Sequence, residues 1–417
     1  MKFAKQLSAL SAAWLLAGCA TSSIDEALRQ THEALPSFTT GSMALRRTDE
    51  QRAAAAQTAA ALLAQPLGQD DAVKLALANS PAVQTLVAQS AASLAEADAA
   101  GLPANPLFTF ERLRTGNALE IGRLLSFGLL DLITLPQRRG IARGQALQAQ
   151  AQLSSDVVGK VSQVRQAWVR AVGAQQALQY AGQVNKAAKA GAELAQRMQQ
   201  VGNFTRLQRA REHAFYADAA AQLASAQHAA TAAREELVRQ LGLDDAQAAQ
   251  LKLPERLPDL PATPRTADEV NATSARERLD VQIARAQLDV AGRSQGMALL
   301  GSLVDVDVGL RHDTSFDGVG GRSNRNGYEL DIRLPVFDWG RTRRDAMNAQ
   351  SLAAANRYES VVRSASSQLR ESYSAYRTAH DLARHYRDEI VPLRKVMAEE
   401  NVLRYNGMLI SVFELLA

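Results

Sequence analysis

The 417-residue chain has few aromatic residues, a single cysteine and no long apolar segment. Phenylalanine, tryptophan and tyrosine together make up only 5% of the residues, whereas alanine and glutamine are abundant. This composition argues against large compact cores and favours long helices that pack through small side chains. The formal net charge of +4 is modest, and acidic and basic residues are interspersed, so nothing supports nucleic-acid binding.

The residue groupings that catalysis or metal binding requires are also missing from the sequence. The six histidines lack the spacing of zinc ligands, and His380 and His385 are five residues apart, off a shared helical face. There is no glycine loop that could cradle a phosphate and no nucleophile elbow. Asp305, Asp307 and Asp313 could suggest cation binding, but strand alternation places the first two on a wet face. We therefore predict that the protein is not an enzyme and needs no cofactor or metal.

The N-terminus resembles the signal of a bacterial lipoprotein. A short basic start is followed by an apolar stretch, Leu7 to Ala17, that is too short to span a bilayer, and residues 16–19 read "LAGC". This resemblance to a lipobox predicts a signal peptide at residues 1–18 and a lipid on Cys19. The alternative is a buried or incidental cysteine. Ala20 follows the cysteine, which by the same resemblance favours outer-membrane sorting.

No later segment has the 18 or more apolar residues of a transmembrane helix. If the mature protein crosses a membrane, it must therefore do so with strands, because backbone polar groups in lipid have to be paired.

A proline-rich stretch divides the rest of the chain into two similar halves. Residues 253–266, which contain "LPERLPDLPATPR", are predicted to be an extended linker between a first repeat at 67–252 and a second at 267–417. Each half is predicted to contain a helix, two strands, a long helix, a turn and another helix, with matched positions about 200 residues apart. Residues 19–66 are predicted to be the lipidated N-terminal segment, and its polar part from about Thr21 to Pro66 is expected to be an extended arm.

The long helix of the first half is predicted to run from about Gln137 to about Gln200, roughly 95 Å at 1.5 Å per residue. Apolar residues recur at heptad spacing in both halves, which predicts coiled-coil packing. They are Val157, Val161, Val164, Trp168, Ala171 and Leu178 in the first half and Val362, Leu369, Tyr376, Ala383 and Ile390 in the second. Pro392 predicts a kink or break in the second long helix.

The strand segments alternate apolar and charged side chains. They are "NPLFTFERLRT" and "ALEIGRLLSFGLLDL" in the first half, and "SLVDVDVGLRHD" (302–313) and "NGYELDIRLPVFD" (326–338) in the second. Such alternation over about 10 residues fits a water-filled barrel in lipid, and a half-buried strand of a soluble sheet is the alternative. Four strands cannot close, and lipid does not tolerate open edges. Three copies would supply twelve strands, whereas two would give only about eight and a filled interior.

The order of these segments is similar to that of the outer membrane factor family of TolC-like channels, in particular its lipoprotein branch. The resemblance covers about residues 67–417 and is strongest in three segments. These are "ANSPAVQ" (78–84), "LPVFDWGRTRRD" (334–345) and "EIVPLRKVMAEENVLRYNGMLISVFELL" (389–416). It implies a mainly α fold, in which long coiled-coil helices form an α-barrel and each protomer adds four transmembrane strands. A homotrimer would then have a 12-stranded β-barrel.

The resemblance also implies a function. The chain would be the exit duct of a tripartite efflux pump, exporting small molecules passively across the periplasm and outer membrane. Its partners would be a periplasmic adaptor (a membrane fusion protein), an inner-membrane transporter and outer-membrane lipid. The alternatives are a type I secretion duct and a lipid-anchored periplasmic coiled-coil protein without a pore. Drugs, metal ions, solvents and peptides are all candidate cargo.

The resemblance further implies a junction between barrel and helices. Its aromatic residues would lie at the membrane interface, and its arginines beside lipid headgroups or the barrel mouth. The alternative is that these charges are solvated in the first turn of a helix. The junction residues are Arg138, Arg139, Phe337, Trp339, Arg341, Arg343 and Arg344.

In the family, the turns between helix pairs carry adaptor contact and gating. Their frame is a tyrosine, then a glycine three residues on, then a small hydroxyl residue after three more. The matching residues here are Tyr405, Met408 and Ser411 in the second half and Gln199, Gly202 and Thr205 in the first. Met408 and Gln199 depart from the frame, although Gly407 is adjacent. The polar candidates for latching one helix pair to another, with solvated helix positions as the alternative, are Arg206, Gln208, Arg209 and Glu414.

The duplication also bears on the last helix. The counterpart of the helix that ends near Gly242 would run to about residue 448, which indicates that the second repeat is truncated. The 417-residue form would then be a fragment or a truncated product, and the alternative is that another element replaces the final helix. We expect this form to be impaired in stability or trimer assembly.

Overall fold

The computed structural model describes residues 24–36, 38, 41, 43–268, 270, 278–301, 305–317, 320–333, 337 and 340–416. The expected signal peptide, Cys19 and Trp339 lie outside these residues. The chain forms two compact units. The sheet unit comprises Met1–Thr31, Ala88–Ser155 and Glu277–Ala365, and the turn unit comprises His32–Val87, Asp156–Arg276 and Ser366–Ala417.

The described elements are mainly helical. The helices are α1 (Ile24–Ala34), α2 (Asp49–Leu63), α3 (Gln69–Asn79), α4 (Pro81–Ala100), α5 (Leu129–Ile133), α6 (Leu135–Gln200), α7 (Arg206–Leu241), α8 (Asp245–Gln250), α9 (Leu279–Gly301), α10 (Arg341–His385), α11 (Val391–Asn406) and α12 (Val412–Leu416). The strands are β1 (Leu107–Thr115), β2 (Ala118–Gly128), β3 (Asp305–Phe316) and β4 (Arg322–Arg333). The predicted order of elements is confirmed in both halves. None of the described helices combines the length and apolar character of a membrane-crossing helix.

The first predicted helix is divided in two at Ser80. This residue has an extended backbone, with φ −64° and ψ 124°, and its N–H donates to the carbonyl of Ala76 to end α3. Pro81 then begins α4. Proline disfavours a helical conformation in the residue before it but is well suited to the first turn of a new helix.

The prediction of an extended arm within residues 19–66 is wrong for the part of this segment that the structure describes, because that part contains the helices α1 and α2. On α1, Ile24, Ala27, Leu28 and Thr31 are buried at helical spacing. The amide of Gln150 donates to the Ala27 carbonyl at 2.9 Å and to the Thr31 hydroxyl at 3.0 Å. A capping box between Thr48 and Gln51, followed by a run of alanines, explains why α2 is helical.

The heptads of α6 form a buried core in the turn unit. Val157, Val164 and Ala171 are buried, as the heptad spacing predicts. The indole of Trp168 is buried as well, and its Nε1–H donates to the carbonyl of Leu67 at 2.8 Å. The N–H of Leu67 in turn donates to the Lys252 carbonyl at 2.8 Å. One aromatic side chain therefore connects α6 with the segments that precede α3 and follow α8.

The heptad positions of the second half are not buried in the same way. Val362 and Tyr376 are exposed, and within the described part of α10 the buried residues are Ala365 and His380. Burial at these two heptad positions is therefore not seen within the described chain, and near Tyr376 and His380 a non-helical segment packs beside α10.

That segment is the predicted linker, which contains no helix or strand from 251 to 266. The N–H of Arg265 donates to the Tyr376 hydroxyl at 3.1 Å, and His380 Nε2 lies 3.2 Å from the Pro261 carbonyl oxygen. The pKa of Asp381 is lowered, first by its hydrogen bond with His380 and further by Arg377 and Arg384. Polar side chains of α10 thus hold the linker in place.

The interruption predicted at Pro392 is confirmed. Residues Tyr386–Ile390 form one π-helical turn between α10 and α11, and Pro392 lies in the first turn of α11. Proline supplies no N–H to the preceding turn and its ring crowds the carbonyl four residues earlier, so the helix widens before it.

The four predicted strands form one antiparallel sheet of order β1-β2-β3-β4. The β2–β3 pairing joins the two repeats, for example where Leu125 lies opposite Leu310. Between β3 and β4, Val308 lies opposite Leu330 and Leu310 opposite Tyr328. The apolar side chains that alternation places on one face of the two second-half strands therefore share it wherever the structure describes them.

Candidate functional site

The two faces of the sheet differ in chemistry. Side chains directly opposite each other in a ladder share a face, so the register assigns each described side chain to one side. The carboxylate face carries Glu111, Glu120, Asp307, Asp313, Glu329 and Asp331. The apolar face carries Phe108, Phe110, Leu125, Phe127, Val306, Val308, Leu310, Tyr328, Leu330 and Ile332. Many of these apolar side chains are exposed, including Tyr328 and Phe108.

An arginine bridges three strands on the carboxylate face. The guanidinium of Arg311 on β3 donates to Asp313 at 3.0 Å, to Glu329 on β4 at 3.2 Å and to Glu111 on β1 at 3.4 Å. Gly122 makes room for this network, since a Cβ there would lie 3.3 Å from an Asp313 oxygen. Within the described residues no cluster of acidic, histidine or cysteine side chains is arranged to hold a metal ion. The three carboxylates are instead paired with one guanidinium.

The turn unit contains the two predicted turns, which share one backbone design. Gly202 has φ +81° and Met408 has φ +60°, so both adopt the left-handed conformation that glycine favours. Each donates its N–H to the carbonyl three residues earlier, that of Gln199 or Tyr405, at 3.0 Å. Met408, rather than the adjacent Gly407, therefore occupies the glycine position of the frame.

Each turn is followed by a capping box at the same offset. Thr205 accepts from the Gln208 N–H, and Gln208 accepts from the Thr205 N–H. Ser411 and Glu414 repeat this pair, with distances of 3.2 and 3.1 Å. The hydroxyl residues predicted in the frame thus start the helix after each turn, because a side-chain oxygen satisfies an unpaired N–H there.

A ring contact brings the two turns together. The centroids of Phe204 and Phe413 are 4.7 Å apart with a 36° angle between the ring planes. Sequence reasoning missed this pair, although each phenylalanine lies within two residues of a predicted hydroxyl cap, Thr205 or Ser411. The polar latch candidates Gln208 and Glu414 instead act in their own capping boxes.

The two remaining latch candidates also stay close to their own turn. Arg209 donates to the Gln199 side chain at 3.0 Å, which joins the two helices that flank the first turn. Arg206 is exposed. Exposed apolar side chains surround the turns, namely Val201, Leu207, Met408 and Leu409.

Substituting Met408 with glycine is expected to stabilise the second turn by about 0.5–1 kcal/mol. The methionine side chain is strained at positive φ, whereas glycine is not, and part of the gain is offset by the greater freedom of glycine in the unfolded chain. The urea midpoint, followed by circular dichroism, measures the effect. The reciprocal change Gly202→Met should lower the midpoint, and a lower midpoint for Met408→Gly would contradict the strain at this position.

At the predicted junction, Arg138 is bound within the sheet unit. It donates to the Asp131 carboxylate and to the Leu102 carbonyl, both at 3.1 Å, and so fixes the end of α4 against α5. Gly340, at φ +75°, precedes α10, and its carbonyl accepts the N–H of Arg344 at 3.0 Å. The other described junction side chains are exposed: Arg139, Phe337, Arg341, Arg343 and Arg344. Their proximity to lipid headgroups stays a prediction.

Comparison with known protein families identifies one matching segment. Residues 272–398 match the family model described as "Outer membrane efflux protein". This segment contains β3, β4 and all of α10. No curated protein sequence matches the chain.

Comparison with solved structures shows the fold. A membrane protein from Pseudomonas aeruginosa is 20% identical with a TM-score of 0.67, covering 84% of this chain and 82% of that one. The outer-membrane channel OprN is 18% identical with a TM-score of 0.63, covering 90% and 86%. The CmeC outer membrane channel of Campylobacter jejuni is 15% identical with a TM-score of 0.59, covering 87% and 78%. The chain has the fold of these channels.

Proposed function

Because this chain belongs to the outer membrane efflux protein family of TolC-like channels, we propose that it is the outer-membrane duct of an efflux pump. The family consists of channel proteins, and a channel supplies a path without catalysing a reaction. Small molecules would pass through it passively, with the energy coming from an inner-membrane transporter. The observation that carries this proposal is the amphipathic four-stranded sheet.

The sheet has the chemistry of a pore wall segment. Its apolar face suits contact with lipid, and its carboxylate face suits a water-filled lumen. In the described sheet β1 and β4 each pair on one side only, so each copy has two open edges. Lipid requires these edges to be paired, and three copies would close a twelve-stranded wall around a lumen. A homotrimer is therefore part of the proposal.

The two turns are proposed as the contact site for a periplasmic adaptor and as the gate. Outer membrane efflux channels generally form trimers and work with adaptors and inner-membrane transporters. The exposed apolar side chains of Val201, Met408 and Leu409 would supply contact area, and the Phe204–Phe413 pair would hold the two turns together. The lipid on Cys19 would anchor the chain to the outer membrane, and Arg139, Arg343 and Arg344 would lie near its periplasmic surface.

Planar bilayer recording tests the duct directly. Purified trimers should produce discrete single-channel steps of uniform conductance at neutral pH. Trimers that insert into the bilayer without producing any ionic conductance would exclude the duct and favour a lipid-anchored coiled-coil protein without a pore.

The same recordings test the gate with Phe413→Ala. An aromatic pair contributes roughly 0.5–1.5 kcal/mol, so its loss should raise the ratio of open to closed time about 2- to 10-fold. Phe215→Ala on α7 is the matched control, since Phe215 is partly exposed and has no ring partner among the described residues. Equal ratios of open to closed time for Phe413→Ala and Phe215→Ala would show that the ring pair does not contribute to gating.

A further inference from the structure

Arginines collect at one end of the apolar face. Four of the seven arginines in the four strands lie on this face: Arg112, Arg114 and Arg322 in the half nearer the hairpin turns, and Arg123 at the middle of β2, opposite Phe110. We call these four residues the arginine band. The large apolar residues, such as Phe108 and Leu330, lie toward the ends that lead into the helices. The half of the face that leads into the helices is therefore apolar, and we call it the apolar band, whereas the hairpin half carries arginines beside Leu119, Ile121 and Phe316.

The arginine band has no counter-charge of its own. No carboxylate side chain that the structure describes in these strands lies on the apolar face, and none forms an ion pair with the four arginines. Arg123 lies 3.5 Å from the neutral hydroxyl of Thr314, and Arg322 lies over the Phe316 ring at 5.9 Å. On the opposite face, by contrast, Arg311 alone has three carboxylate partners. The described residues of the four strands therefore leave the charge of the arginine band unpaired.

The position of the band limits what can balance it. Arg112 and Arg114 lie on β1 and Arg322 on β4, which are the two open edges of the sheet. If copies close into a barrel, the edge carrying Arg322 in one copy adjoins the edge carrying Arg112 and Arg114 in the next. Like charges on neighbouring strands are destabilising unless an anion lies between them. The guanidinium fork binds phosphate in two-point geometry, which an anionic headgroup supplies.

We propose that the arginine band binds the phosphate groups of a phosphorylated glycolipid in the outer leaflet of the membrane, at a site shared by neighbouring copies. This inference rests on the proposed function, which places the apolar band in hydrocarbon and the hairpin turns toward the outside. Charged residues on the lipid face are costly at the bilayer midplane and almost free of cost near the interface. Arg112, Arg114 and Arg322, in the hairpin half of the face beyond the apolar band, therefore match the depth of headgroup phosphates.

The test measures binding of fluorescent lipid A to detergent-solubilised trimers of the full chain. Wild type should bind lipid A that carries both phosphates at least tenfold more tightly than dephosphorylated lipid A. The triple variant Arg112→Gln, Arg114→Gln, Arg322→Gln should lose at least tenfold in affinity. Replacing the same three arginines with lysine, which keeps the charge without the fork, should lose about two- to fivefold. The matched control is Arg325→Gln, a β4 arginine on the carboxylate face, which should bind as wild type does.

Two results would overturn the proposal: unchanged lipid A binding by the triple glutamine variant, or displacement of lipid A by millimolar inorganic phosphate, which would indicate a site for the free anion. Bilayer recordings on the same preparations separate this inference from the duct. Normal conductance with arginine-independent lipid binding would reject only the glycolipid site. Absent conductance with arginine-dependent binding would reject only the duct.

Discussion

Substituting Trp168 with alanine is expected to destabilise the turn unit by about 3–5 kcal/mol, the range for removing a large buried aromatic side chain. Only 3% of the tryptophan surface is exposed. Its indole N–H also provides the hydrogen bond to the Leu67 carbonyl, at 2.8 Å. Two effects lower the free energy of unfolding: a cavity beside α6 and a buried Leu67 carbonyl that has lost its hydrogen-bond donor. The urea midpoint, followed by circular dichroism, measures their sum.

Trp168→Phe separates these two contributions. Phenylalanine fills most of the cavity but donates no hydrogen bond, so a cost of about 1–3 kcal/mol is expected from the unsatisfied Leu67 carbonyl. The matched control is Val169→Ala, because Val169 is the next residue of α6 and is 40% exposed. Its cost should stay below about 1 kcal/mol. A Trp168→Phe variant as stable as wild type would show that the hydrogen bond does not hold the Leu67 segment.

Elements with a strong local period could be predicted from the sequence. The heptads between Val157 and Ala171 indicated a long helix with a buried stripe, and α6 has both. The alternation in the strand segments indicated which side chains share a face, and the register agrees where Val308 lies opposite Leu330. These properties depend on residues that are close in the chain, where geometry allows few alternatives.

Contacts between distant segments could not be predicted in the same way. The Phe204–Phe413 pair joins two turns from different repeats, and no periodic pattern specifies which aromatic side chains meet. Identical heptad spacing in the two halves also had different outcomes. Val164 of α6 is buried, whereas Val362 of α10 is exposed, because burial depends on the packing partner and not on the helix alone.

The conformation of single backbone positions and the partners of single side chains could be predicted only in part. The family frame placed a glycine at the turn, and the departure at Met408 left open whether the turn would change. The structure keeps the turn and places methionine at φ +60°. Likewise, Arg138 belongs to a basic cluster in the sequence, but its side chain donates hydrogen bonds to the Asp131 carboxylate and the Leu102 carbonyl. A charge pattern indicates where arginines lie and does not specify their partners.

Substituting Gly242 with alanine is expected to destabilise the turn unit by about 2–4 kcal/mol. Gly242 ends α7 at φ +68°, where a side chain costs about 1 kcal/mol. A Cβ there would also lie 2.6 Å from the Ser80 Cα and 2.6 Å from the Pro81 Cδ. Because Ser80 and Pro81 form the fixed break between α3 and α4, they cannot move aside, and overpacking of this kind costs a further 1–3 kcal/mol.

Gly202→Ala is the matched control for this substitution. Gly202 has a similar φ of +81°, but a Cβ there would meet no described atom within 4 Å. The control should therefore show only the conformational cost of about 1 kcal/mol, and the difference between the two variants measures the steric clash alone. Asn79 provides an independent check, since its side-chain amide donates to the Gly242 carbonyl at 2.9 Å and a shifted α7 end would break this bond. Equal urea midpoints for Gly242→Ala and Gly202→Ala would mean that the α3–α4 break gives way, and that the close approach of α7 does not limit this position.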